Sequence, residues 1–147
     1  MIKILTLNVE GDNWKDILTE MSDALYKLKY VKSGYRDAII NREEKFPTGI
    51  ELPGGVGVAI PHAEAKFVNE EAVVLGFPQS PVDFKRMDDP EKIAKVHCVF
   101  LLLIKNPEKG YVKFLSKLTT LFQRKEFTDA IKKKKIKEIV SLLEENL

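Results

Sequence analysis

Apolar residues along the chain follow a helical spacing, then a strand spacing, then a helical spacing again. A short apolar stretch near the start predicts a strand. Apolar residues then recur every three or four positions over residues 14–28, which predicts a helix capped by Asp12 or Asn13. A second helix is predicted from Tyr35 to Lys45, because Pro47 prevents it from continuing.

The middle of the chain carries turn residues followed by strand patterns. The segment Pro47–Gly55 is rich in proline and glycine and is predicted to form turns. Short strands are predicted at Val56–Ile60, Ala72–Phe77 and Val82–Lys85. The segment Val96–Ile104 is apolar on both faces, which predicts a central strand covered on both sides.

The last third of the chain returns to helical spacing. Three helices are predicted there, around residues 112–122, 127–131 and 136–143. Helices, then strands, then helices predict an α/β fold: a single-domain sandwich over residues 1–147 with a central mixed β-sheet flanked by helices.

Composition narrows the possible functions. The chain has 147 residues, of which 44% are hydrophobic and 31% charged, the balance of a globular protein. A net charge of +2 argues against nucleic acid as a partner, and the run Lys132–Lys135 is predicted to be a solvated helix end. No apolar run reaches the ~18–20 residues that span a bilayer, and the start lacks a signal-peptide pattern. With a single cysteine, Cys98, predicted to be buried, these features lead us to expect a cytoplasmic protein.

The two histidines are the main candidates for chemistry. His62 follows Pro61 at the end of a predicted strand, among small residues that let another molecule approach. A neutral imidazole keeps one free lone pair for attack, so His62 is a candidate nucleophile; the alternative is an ordinary surface histidine. His97 lies inside an apolar run and is predicted to be a hydrogen-bonded core residue, with a supporting role beside His62 as the alternative.

No metal or cofactor site is predicted. The two histidines are too far apart in sequence, and no close spacing of His, Cys, Asp or Glu forms a recognisable metal motif. The glycines of Gly54–Gly57 lead into a strand rather than a helix, which does not fit a phosphate-binding loop.

Three segments carry a resemblance to a known family. They are Gly57–Ala63, which contains an apolar-Ala-apolar-Pro-His-small run, the pair Arg42-Glu43, and the stretch Val96–Phe122. Together these make the chain resemble the enzyme IIA domains of the bacterial phosphoenolpyruvate-dependent sugar phosphotransferase system (PTS), fructose/mannitol class. The resemblance extends over essentially the whole chain.

Within that class the sequence is most similar to the galactitol-type IIA proteins, in the segments Asn41–Ile50 and Ala59–Ala65. Fructose- and mannitol-type members usually carry a second histidine at the start of the Leu-rich helix. Tyr111 occupies that position here. A tyrosine can donate a hydrogen bond to a phosphoryl oxygen but brings no positive charge.

The resemblance implies a phosphoryl relay without a cofactor. The phosphocarrier HPr would phosphorylate His62, which would then pass the group to a cysteine of the partner IIB, with the membrane reached only through the IIC transporter. Arg42, expected on one helix face with Ala38 and Ile39, is the candidate for holding the phosphoryl oxygens. Glu43 either orients Arg42 or is a solvated helix residue.

Two further expectations concern the surroundings of this histidine. Phe46 and Phe67 are candidates for an apolar docking rim, and burial in the core is the alternative for either residue. Backbone N–H groups after the histidine are candidates for an anion-binding nest.

Two other functions remain open at this stage. A nitrogen-type regulatory IIA paralogue would use the same phosphorylation as a switch on target proteins. A binding module without phosphotransfer would leave the histidine as a surface residue.

Overall fold

The computed structural model describes residues 2–147, which form six strands and five α-helices. In chain order the elements are β1 (Lys3–Val9), α1 (Trp14–Lys27), α2 (Tyr35–Lys45), β2 (Gly49–Leu52), β3 (Val56–Ala59), β4 (Ala72–Pro78), β5 (Val82–Lys85), β6 (Ile93–Leu103), α3 (Tyr111–Phe122), α4 (Lys125–Lys132) and α5 (Ile136–Asn146), with a short 3-10 helix at Ala65–Phe67.

The strands form one mixed sheet in the order β1-β4-β6-β3-β2, and β5 pairs with the first part of β6. The pairs β1–β4 and β3–β6 are parallel, whereas β4–β6, β2–β3 and β5–β6 are antiparallel. From Cys98 to Leu103 the central strand β6 is buried on both faces, because helices cover both sides of the sheet, whereas its first half alternates between exposed and buried residues. The predicted α/β sandwich with a mixed sheet is therefore confirmed.

Two hydrophobic cores lie on opposite faces of the sheet. On one face the sheet packs against α1 and α2, through side chains such as Ile17, Met21 and Ile39. On the other it packs against α3, α4 and α5, where Phe100 of β6 meets Phe122 with ring centres 5.1 Å apart. The sheet is thereby held rigidly from both sides, which fixes the strand ends that carry polar residues.

The first two helices agree with the sequence in their ranges, and the first also in its cap. Asn13 caps α1, as one of the two predicted caps, by accepting a hydrogen bond from the Asp16 backbone N–H. The helix α2 forms over the predicted range, and its buried row is Tyr35, Ile39 and Glu43. Arg42 is exposed, which frees its side chain for the surface.

The turn predicted over Pro47–Gly55 is wrong in its first half, because Gly49–Leu52 forms the edge strand β2. Its residues pair in antiparallel register with β3, from Gly49 opposite Ala59 to Leu52 opposite Val56. Pro53, Gly54 and Gly55 supply the tight connection, and both glycines have positive φ. Tertiary pairing thus overrides the turn signals.

The chain after β3 also remains attached to the sheet. The Pro61 carbonyl accepts a hydrogen bond from the Leu102 backbone N–H, and His62 forms an isolated parallel bridge with Leu102. His62 therefore sits beside the carboxyl end of β6. Among residues 2–147, each helix falls short of the length and apolar character that crossing a bilayer demands.

Candidate functional site

A cleft of about 200 Å³ lies where the end of β6, the segment after β3 and the start of α3 meet. It is lined by Arg42, His62, Ala63, Glu64, Ala65, Ile104, Pro107 and Tyr111. The structure thus brings three residues singled out in the sequence, His62, Arg42 and Tyr111, to one place. These residues are brought together by tertiary structure, since they lie on α2, on the segment after β3 and on α3.

The imidazole of His62 is held in one orientation. Its Nδ1 lies 3.2 Å from the Ile60 carbonyl oxygen. A carbonyl can only accept, so a neutral imidazole in this contact carries its proton on Nδ1 and keeps the lone pair on Nε2. Burial lowers the pKa of His62, the bond to Ile60 partly offsets this, and the charge of Arg42 lowers the pKa further. The ring is therefore neutral near pH 7, as a nucleophile must be.

Arg42 supplies positive charge to the cleft. Its guanidinium lies over the Phe46 ring, 5.6 Å from the ring centre. The chain's three other arginines, Arg36, Arg86 and Arg124, each pair with a carboxylate. Within the described residues 2–147, no carboxylate lies at ion-pair distance from Arg42, so its guanidinium donors are available to an anion.

Tyr111 faces His62 from the first residue of α3. The two ring centres are 6.4 Å apart and the rings are inclined by 61°. Burial raises the pKa of Tyr111, which keeps the phenol protonated and able to donate, and the charge of Arg42 lowers this pKa. The N-terminus of α3 begins after Gly110 without a side-chain cap, so its free N–H groups favour an anion nearby.

Glu43 follows Arg42 in the chain but points into the protein. Its carboxylate accepts hydrogen bonds from the backbone N–H and the hydroxyl of Thr48, both at 2.8 Å. The Thr48 hydroxyl in turn accepts a hydrogen bond from the Ile60 N–H at 3.2 Å. Burial raises the pKa of Glu43 to about 7, although the bonds to Thr48 and the charge of Arg42 lower it. Both expectations for Glu43 are wrong, since it is neither solvated nor bonded to Arg42.

The structure does not bring His97 to the site. His97 lies five residues before Leu102, the β6 residue that pairs with His62, and at ~3.3 Å per residue the two histidines are roughly 16 Å apart along the strand. It occupies an irregularity in the pairing of β3 with β6, where its Nδ1 accepts a hydrogen bond from the Gly57 N–H at 3.2 Å. The supporting role beside His62 is therefore wrong, and His97 is hydrogen-bonded as predicted but half-buried rather than in the core.

The two phenylalanines considered for the docking rim lie in different places. Phe46 is exposed beside Arg42, as a rim residue would be. Phe67 instead packs against the first core, with its ring against Gly34, so for this residue the core alternative fits. Glu64 puts one carboxylate at the cleft and pairs with Lys66 at 3.7 Å.

Two residues that contribute to the site went unnoticed in the sequence. Thr48 lies in the predicted turn, and Ile60 lies at an apolar position of a predicted strand. A backbone carbonyl carries no side-chain signal, and the contact between Thr48 and Ile60 arises only from the pairing of β2 with β3. Over residues 2–147 no group of three His, Cys, Asp or Glu side chains is placed to hold a metal ion.

The chain is similar to known proteins over almost its whole length. A family model described as "Phosphoenolpyruvate-dependent sugar phosphotransferase system, EIIA 2" matches residues 2–146. The fructose-specific EIIABC component of Bacillus subtilis (strain 168) is 31% identical over 83% of this chain and 18% of that protein. The galactitol-specific EIIA component of Escherichia coli (strain K12) is 34% identical over 64% of this chain and 61% of its own length.

A solved structure shares the fold. It is the complex of enzyme IIAMtl with phosphorylated enzyme IIBMtl from Escherichia coli, matched with a TM-score of 0.71 and 20% identity over 98% of this chain and 95% of the solved one.

Proposed function

The chain belongs to the EIIA 2 family of the phosphoenolpyruvate-dependent sugar phosphotransferase system, and from this membership we propose that His62 is its phosphoryl acceptor. In this proposal His62 takes the phosphoryl group from phosphorylated HPr and passes it to a IIB protein. Proteins of this family carry out phosphoryl transfer through a phosphohistidine.

The observation that carries the proposal is the state of the His62 ring. Its Nδ1 is engaged by the Ile60 carbonyl, which leaves the Nε2 lone pair for a phosphorus atom. The same ring lines the cleft with Arg42, whose guanidinium has no carboxylate partner within the described part of the chain. A nucleophile and an anion-binding group thus share one small space, the requirement for phosphoryl transfer.

The reaction step balances without a cofactor. Nε2 of His62 forms a bond to phosphorus while the P–N bond to the donor histidine breaks, and the electrons of that bond return to the donor ring. The proton on Nδ1 remains in place, and the Ile60 carbonyl stabilises the positive charge that develops on the ring. Arg42 and the Tyr111 hydroxyl are proposed to bind the phosphoryl oxygens during transfer.

The partner that receives the phosphoryl group is proposed to be a galactitol-type IIB protein. Support comes from the 34% identity to the galactitol-specific EIIA component of E. coli. A IIB partner is also bound by enzyme IIAMtl, whose fold this chain shares. The match spans only part of the galactitol-specific relative. The choice of IIB partner is therefore tested by measuring phosphoryl transfer to IIB proteins of different types.

The test is phosphoryl uptake from radiolabelled phosphoenolpyruvate in the presence of enzyme I and HPr. The parent and His97→Gln are expected to take up an acid-labile, base-stable label, whereas His62→Gln takes up none. His97→Gln is a matched control, because the glutamine oxygen can still accept the Gly57 N–H. Equal labelling of His62→Gln and the parent would contradict the proposal, and an unlabelled parent would favour a binding module.

The second step separates transport from regulation. The labelled protein is mixed with galactitol-, fructose- and mannitol-type IIB proteins, and loss of label is followed over time. Fastest transfer to the galactitol-type protein supports the proposed partner. A stable label that none of the three removes favours the nitrogen-type regulatory alternative, in which phosphorylation acts as a switch.

A further inference from the structure

A buried carboxylate on α2 is linked to the backbone that precedes His62. Glu43 is 5% exposed, and its two oxygens accept the two hydrogen bonds that Thr48 can donate, one from its N–H and one from its hydroxyl. The hydroxyl has a single proton, so once it is donated to Glu43 the hydroxyl oxygen can only accept. The Ile60 N–H donates to that oxygen at 3.2 Å, and it also reaches the Thr48 backbone carbonyl oxygen at 3.4 Å. The two N–H groups can only donate, so the hydroxyl of Thr48 directs its proton to Glu43 and a lone pair to Ile60.

The chain of hydrogen bonds continues into the imidazole. The Ile60 carbonyl faces Nδ1 of His62 at 3.2 Å, so Ile60 is engaged through both its N–H and its carbonyl. The next residue is equally restrained, because Pro61 has a fixed φ and its carbonyl accepts the Leu102 N–H at 3.0 Å. Three successive residues that end at His62 are thus held in place.

Burial of this carboxylate is costly for stability alone. A carboxyl group removed from water, with or without its proton, is unfavourable unless its hydrogen bonds compensate, and an apolar side chain of similar size is often as stable or more so. The side chain of Glu43 forms its hydrogen bonds with Thr48, outside its own helix. Thr48 lies between α2 and β2 and accepts a hydrogen bond from Ile60, whose carbonyl faces the Nδ1 proton of His62.

We propose that Glu43 and Thr48 are positioning residues that hold the Ile60 carbonyl against Nδ1 of His62, and so keep the reactive lone pair on Nε2. The proposal deepens the proposed function of His62 and rests on it for its consequence in catalysis. Neither side chain is among the residues that line the cleft, so both act through the backbone. Without this restraint, the imidazole would place its proton on either nitrogen and lose part of its reactive form.

The test compares Thr48→Val with Thr48→Ser. Both are close in size to threonine, but only serine keeps the hydroxyl that accepts from Ile60 and donates to Glu43. Nitrogen-15 NMR of the histidine-labelled, unphosphorylated proteins reports which ring nitrogen of His62 carries the proton. We expect the parent and Thr48→Ser to keep it on Nδ1, and Thr48→Val to show a mixture of the two tautomers.

The rate of phosphoryl uptake is measured on the same proteins. In Thr48→Val the single-turnover rate constant is expected to fall roughly tenfold while the KM for phospho-HPr changes little, because a misplaced nucleophile slows the chemical step rather than docking. The rate constant of Glu43→Gln is also expected to fall, since an amide cannot accept two hydrogen bonds in the same way as a carboxylate. Melting temperatures identify any variant that has lost its fold.

The outcomes separate this proposal from the function that it serves. An unchanged tautomer and an unchanged rate in folded Thr48→Val would overturn the positioning role while leaving His62 as acceptor. A shifted tautomer in Thr48→Val together with a parent that takes up no phosphoryl group would support the positioning and overturn the proposed function.

Discussion

The rings of His62 and Tyr111 meet edge to face across the cleft, with their centres 6.4 Å apart. A phenol donates one hydrogen bond and carries no charge at neutral pH, so the positive charge of this cleft comes from Arg42 and the N-terminus of α3.

Removal of the Tyr111 hydroxyl is expected to slow phosphoryl uptake. A hydrogen bond to a charged group contributes about 1.5 kcal/mol or more, so Tyr111→Phe should lower the single-turnover rate from phospho-HPr roughly tenfold. Tyr111→His should recover the rate as the pH falls through the pKa of the new imidazole. Equal rates in the parent and Tyr111→Phe would show that the phenol does not contact the transferring group.

Replacement of Arg42 is expected to change both the rate and the titration of His62. Arg42→Gln should lower the rate of phosphoryl uptake by ~100-fold, and Arg42→Lys by less, because lysine keeps the charge but loses the planar fork. Since Arg42 lowers the pKa of His62, Arg42→Gln should raise that pKa in an NMR titration. Arg36→Gln, on the same helix but paired with Asp23, is the matched control and should change neither quantity.

Glu43 is expected to make stability depend on pH. Its pKa is about 7 in the folded protein against an ordinary 4.5, so between these values the folded state holds a proton that the unfolded state releases. Its contribution is therefore greatest below pH 4.5 and is lost as the pH rises to about 7. Between these two pH values the free energy of unfolding changes by about 3 kcal/mol at most through this group.

Urea unfolding of the parent and Glu43→Gln checks this dependence at pH 5 and pH 8. The free energy of unfolding of the parent, relative to the variant, should be higher at pH 5. The charged groups around Glu43, namely Arg42, Lys15, Glu44 and Lys85, are the same in both proteins and cancel in the comparison. A difference that does not change, or that grows with pH, would contradict the buried carboxylate.

Gly57 is expected to be intolerant of any side chain. A Cβ there would lie 2.0 Å from the Lys95 carbonyl oxygen, which belongs to the neighbouring strand and cannot move aside. Gly57→Ala should therefore lower the free energy of unfolding by about 3 kcal/mol or more. Gly54→Ala, where the added Cβ meets no atom within 4 Å, should cost only ~1 kcal/mol for its positive φ. Similar melting temperatures for the two variants would contradict the pairing of β3 with β6.

The sequence predicted the fold and the centre of the site for different reasons. The period of apolar residues identified the helices and the doubly covered strand β6, because those elements bury long stretches. The segment around His62 was recognisable by its residues alone. The edge strand β2 was missed because its four residues lie between prolines and glycines that favour turns, and its pairing with β3 is a tertiary effect.

The residues around His62 were less predictable. The roles of Thr48 and Ile60 depend on β2 pairing with β3, which no local pattern shows. The separation of His97 from His62 depends on the register of the sheet, in which His62 pairs with Leu102, five residues beyond His97 on β6. Glu43 was misjudged because a charged residue beside Arg42 on a helix usually faces water.

The central claim is that Nε2 of His62 bears the phosphoryl group, and the coupling between phosphorus-31 and nitrogen-15 tests it directly. The protein labelled with nitrogen-15 histidine is phosphorylated by enzyme I, HPr and phosphoenolpyruvate, and the coupled nitrogen is assigned. We expect coupling to Nε2 of His62, with Nδ1 still protonated. Coupling to Nδ1, coupling to His97, or no phosphohistidine at all would contradict the claim.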